Sequence, residues 1–61
     1  MANIRSEEAT AELHRKILTA ATALFMQKGF ERTTFVDIAK LSDVPKSKIL
    51  YEFASKEEIL S

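Results

Sequence analysis

Apolar residues recur along the first half of this chain at three- and four-residue steps. Leu13, Ile17, Ala20, Ala21, Leu24 and Phe25 make one stripe, which predicts a long amphipathic helix over residues 6–28. Ser6, followed by Glu7 and Glu8, supplies a cap and negative charge for the positive end of the helix dipole; the start can lie anywhere from Ser6 to Glu12. Gly29, directly behind the basic Lys28, is a helix stop. Phe30 can then fold back onto the stripe, and Met26 and the phenylalanines serve as core or interface filler.

The spacing then tightens. Thr34 with Asp37 three residues on forms a capping-box-like pair that opens a second helix. Phe35, Ile38, Ala39 and Leu41 supply its buried side. Ser42 and Asp43 interrupt the pattern with two turn-forming residues. Pro45 suits the first turn of a third helix, running roughly from Pro45 to Phe53 and burying Ile49 and Phe53. Ser55 to Glu58 reads as a complete S-x-x-E box before Ile59 and Leu60, so a fourth helix is being started. So short a helix is unstable alone, and the chain is expected to be the N-terminal piece of a longer polypeptide.

A chain of 61 residues makes one domain, and such a domain buries only about 60% of its unfolded surface. No apolar run approaches the ~20 residues of a membrane span. The opening MANIRSEEATAE is too acidic and polar for a signal peptide. The absence of cysteine removes disulfides and thiolate–zinc sites and fits a reducing cytosol. Nothing points to catalysis or a cofactor. His14 lacks partners at metal or triad spacing and is expected at the surface, and Glu7/Glu8 and Glu57/Glu58 are helix-start charges.

The formal net charge is zero, but its distribution is uneven. Residues 14–48 hold Arg15, Lys16, Lys28, Arg32, Lys40, Lys46 and Lys48 against Glu31, Asp37 and Asp43, while both flanks are acidic. A basic middle is compatible with phosphate contact. Two short helices around a turn, the second opened by lysines, is how a helix-turn-helix offers a helix to the major groove. In such a motif Ala39 is the small residue at the helix crossing. Asp43 takes the left-handed turn position, and Val44 and Ile49 pin the second helix from beneath. Spacing alone leaves open the alternative that any three-helix bundle needs these contacts.

From Phe30 onward the chain resembles the N-terminal domain of the TetR family of bacterial transcriptional regulators. The family's F-x-x-x-G-[YF] is met by Phe25, Gly29 and Phe30, and its T-T-x-x-x-I-A by Thr33, Thr34, Ile38 and Ala39. The S-K-E-x-L element is met by Ser55, Lys56, Glu57 and Leu60. The recognition segment V-S-K-G-T-L-Y-Y-H-F is matched at Val44, Lys46, Ile49, Tyr51 and Phe53. It departs from the pattern at Pro45, Ser47, Lys48, Leu50 and Glu52, so the operator preference of known members does not transfer. Glu52 places an anion where the family has histidine; it could accept from a cytosine amine, but is expected to face solvent or to pair with Lys48 or Lys56, each four residues away.

The expected architecture is all-α: a three-helix helix-turn-helix domain, homeodomain-like, with the start of a fourth helix. By the resemblance and by geometry, Thr33, Thr34, Tyr51, Ser55 and Lys56 are candidates for positioning on the DNA backbone. Lys46, Ser47, Lys48 and Leu50 are candidates for reading base edges. The implied partner is double-stranded DNA with a near-palindromic operator. A missing C-terminal domain is expected to bind a small-molecule effector and to form the homodimer, leaving this fragment a monomer. The resemblance implies a ligand-released repressor in the bacterial cytoplasm, associated with the nucleoid. The rival reading is a protein-interaction module on the same frame, with Leu50 and Glu52 at its interface.

Overall fold

The computed structural model describes residues 6–60, with side chains from Ala9 onward. Four helices follow in order: α1 (Ser6–Lys28), α2 (Phe35–Ser42), α3 (Lys46–Glu52) and α4 (Lys56–Leu60), with no strand among the described residues. The side chains of Ser6, Glu7 and Glu8, where the cap and dipole charges are expected, lie outside the described set. No described helix is long and apolar enough to cross a membrane.

The stripe read from the sequence is the wall on which the domain is built. Ile17, Ala20, Ala21 and Leu24 of α1 meet Ile38 of α2, Val44 of the turn, Ile49 of α3 and Ile59 of α4. Ile17, Ile38 and Ile49 are the largest apolar side chains with no exposure at all. Leu13, Phe25, Phe35, Ala39 and Phe53 close the margins of this cluster. Helix α2 packs against α1, and α3 packs against α2.

Each corner has a local cause. Gly29 adopts φ +94, a region that L side chains avoid, and its N–H donates to Phe25 O at 2.9 Å, ending α1. Phe30 turns back on Phe25, ring centroids 4.9 Å apart. Thr34 caps α2 with both halves of the expected box: its hydroxyl accepts from Asp37 N, and Asp37 Oδ2 accepts from Thr34 N. Asp43 sits at φ 63, ψ 30, the left-handed geometry expected of it, and donates its N–H to Ala39 O at 2.9 Å.

Several expectations need correction. Pro45 is the residue before α3 and not its first turn, because its ψ of 144 is extended; no side chain caps that helix. Leu41 is 55% exposed, and the buried stripe of α2 runs from Ile38 to Ser42. Ser42 can take the inner position because its hydroxyl accepts the N–H of Val44. Met26 is 84% exposed, so of the two places expected for it, core or interface, the core is excluded. The box at α4 is also displaced: Ser55 Oγ accepts from Glu58 N, but the Glu58 carboxylate reaches back to Ala54 N.

Candidate nucleic-acid interface

Ile49 anchors α3 with no exposed surface. At 100° per residue, Ser47 and Tyr51 then fall opposite it, with Leu50 and Lys48 on the flanks between. The exposures agree: Lys46, Ser47, Lys48, Leu50 and Tyr51 are all exposed, Tyr51 at 82%. The exposed surface of α3 therefore carries two ammonium groups, two hydroxyls and one aliphatic side chain. Neither Lys46 nor Lys48 pairs with a carboxylate among the described residues. Lys40 of α2 shares a shallow hollow with Lys46, walled by Val36, Ala39 and Pro45. Sequence spacing did not single out Lys40, because it lies on another helix.

The remaining candidates divide. Thr34 is exposed, and while its oxygen accepts from Asp37 N its hydroxyl proton stays available to an acceptor outside the protein. Ser55 is half-buried and is engaged in the same way by Glu58 N. Thr33 is not available. It is fully buried, its hydroxyl donates to Gly29 O at 2.8 Å, and its N–H is held by Gly29 O and Phe30 O. It closes the α1–α2 turn, and the role of backbone contact expected for it is withdrawn.

Lys56 also has a different task from the one its motif suggests. Its Nζ donates to Phe30 O at 2.6 Å and to Glu31 O at 3.3 Å, and lies 4.6 Å from the centroid of the Phe30 ring. Two carbonyls and a ring face hold the ammonium, so Lys56 ties the start of α4 to the α1–α2 turn.

His14 and Glu52 were expected at the surface without each other. The structure joins them: His14 Nε2 donates to Glu52 Oε1 at 2.8 Å, and the imidazole rests 4.8 Å from the Phe53 ring. Glu52 pairs with neither Lys48 nor Lys56. Thirty-eight residues separate the partners, so no local spacing could have signalled the contact.

At the opposite corner, Lys28 Nζ donates to Asp37 Oδ2 at 3.0 Å. That bond first, and the Thr34 N–H second, hold the Asp37 carboxyl below its ordinary range. A lowered folded-state value contributes stability that is present above the unfolded-state value and is lost as pH falls through the folded one. Asp37→Asn is therefore expected to flatten the loss of thermal stability as pH falls through and below the ordinary carboxylate range. Melts of parent and variant that run parallel across that window would remove Asp37 from the acid response.

The model for "Bacterial regulatory proteins, tetR family" matches residues 17–61. Among similar proteins, HTH-type transcriptional regulator TtgR of Pseudomonas putida is 36% identical over 56 residues, 92% of this chain and 27% of that protein. The biofilm operon icaADBC HTH-type negative transcriptional regulator IcaR is 41% identical over 44 residues in Staphylococcus epidermidis and 43% in Staphylococcus aureus. Each of those alignments covers 72% of this chain and 24% of the relative. The chain thus spans about a quarter of the length of the curated relatives it matches. No solved structure matches it.

Proposed function

The chain belongs to the TetR family of bacterial regulatory proteins, and from that premise we propose that it is the DNA-contacting part of a transcriptional regulator. In this reading α3 lies in the major groove of double-stranded DNA. The observation that carries it is the outer face of α3: Lys46, Ser47, Lys48, Leu50 and Tyr51 exposed around a helix pinned by buried Ile49. Ser47 and Lys48 can donate to base edges, lysine to guanine O6 and N7, and Leu50 can meet a thymine methyl. Thr34, Lys46, Tyr51 and Ser55 hold the backbone, with Lys56 at the start of α4 beside them.

The finer reading is a ligand-released repressor. Repression is favoured by the name of the staphylococcal relatives, negative regulators. Dimerisation and a small-molecule effector would belong to polypeptide beyond this chain, and two α3 helices would read half-sites about 34–36 Å apart on a near-palindromic operator. The chain alone is then a monomer of weak, salt-sensitive affinity.

The test is a salt titration. The chain is expected to bind random duplex at low salt, with the amides of residues 45–56 shifting in NMR spectra. Lys46→Ala should weaken binding to every sequence and reduce the slope of log affinity against log salt by roughly one unit. A slope identical to the parent's would take Lys46 off the phosphate backbone. Duplex that moves no amide in that segment would favour the protein-interaction module.

A further inference from the structure

Glu52 follows Lys48 by one helical turn, a spacing at which glutamate and lysine side chains meet. They do not pair here. The Glu52 carboxylate, 16% exposed, accepts instead from His14 of α1. The imidazole also rests against Phe53, with ring centroids 4.8 Å apart. Ala9, Thr10 and Leu13 of α1 line the same crevice as Lys48 and Glu52, so Lys48 is a cation within that crevice if the carboxylate is released. This bond is also the one polar side-chain link between α1 and α3 among the described residues. An acidic residue in the last turn of a helix opposes the dipole, which gives the carboxylate further reason to seek a cation.

The geometry points to His14 as a positioning residue for DNA recognition: by holding Glu52 against α1, it keeps that carboxylate off Lys48 and leaves the Lys48 ammonium free for DNA. The inference rests on the DNA-binding reading above. It also explains how an anion is accommodated on the helix that would enter the groove. The carboxylate is turned toward the protein and its charge is engaged there.

Four variants of the 61-residue chain test it: His14→Ala, His14→Gln, Glu52→Gln and the double variant His14→Ala/Glu52→Gln. Duplex affinity is measured against salt, and Lys48 Hε to Glu52 Hγ Overhauser contacts are followed without DNA. His14→Ala should bind several-fold more weakly, because Lys48 becomes neutralised within the protein. The Lys48–Glu52 contacts should appear in that variant alone. His14→Gln, which keeps an N–H donor, should retain most of the affinity. Glu52→Gln should match or exceed the parent, and adding it to His14→Ala should restore binding.

An unchanged affinity in His14→Ala overturns the inference. So does a loss that persists in the double variant, since His14 would then act through its packing on Phe53. Weakened binding by Glu52→Gln alone overturns it as well, and this variant decides the matter if His14→Ala fails to fold. A parent chain that binds no duplex refutes the DNA-binding reading instead, and the Overhauser contacts still report whether His14 withholds Glu52 from Lys48.

Discussion

Ile49→Ala is expected to lower the thermal midpoint of this domain by 10 °C or more. Truncating a fully buried isoleucine removes its transfer free energy and leaves a cavity, together about 2–5 kcal/mol. A domain of this size holds only about 3–9 kcal/mol in total, so the variant is left near the edge of folding. In domains of about 60–100 residues each kcal/mol shifts the midpoint by about 4–8 °C. The position allows little relaxation, because Ile49 closes against a core shared by all four helices. Far-UV circular dichroism melts measure the shift, and duplex binding should fall with the folded fraction. A midpoint within a few degrees of the parent's would mean that α3 is not fastened from beneath, and the account of its outer face would fall with it.

Asp43 governs the second large effect, through the backbone. At φ 63 a β-branched side chain suffers the full left-handed penalty of about 1–2 kcal/mol, whereas glycine has none. Asp43→Val should therefore lose about 4–16 °C in midpoint. Asp43→Gly should remain within a few degrees of the parent or rise above it. The contrast between the two variants is the diagnostic, since both delete the same carboxylate. Equal losses would shift the cause to that carboxylate and away from the turn geometry. The α2–α3 angle depends on this residue, because its N–H closes α2 on Ala39 just before Val44 enters the core.

What the sequence disclosed follows from how far each interaction reaches along the chain. The stop at Gly29, the cap between Thr34 and Asp37 and the turn at Asp43 act over four residues or fewer, and their residue types carry the mechanism. The stripe from Ile17 to Leu24 is equally plain, since a period of 3.6 registers one buried face. Its margins were harder to place. Leu41 and Ser42 are neighbours about 100° apart on a helix, and burial goes to the serine because Val44 N–H needs its hydroxyl. Thr33 and Thr34 look alike in sequence, yet one serves a carbonyl inside the turn and the other faces out. Lys56 reaches back 26 residues to Phe30, and His14 reaches forward 38 to Glu52. Contacts of that separation leave no trace in local spacing.

Helix α3 is divided in its duties along its length. Ile49 bears the burden of folding, while Ser47 and Tyr51 stand clear of the core. Exchanges at such outward sites ordinarily alter stability by no more than about 0.5 kcal/mol. A lineage carrying this scaffold can therefore wander through many vocabularies of recognition without ever passing through an unfolded ancestor.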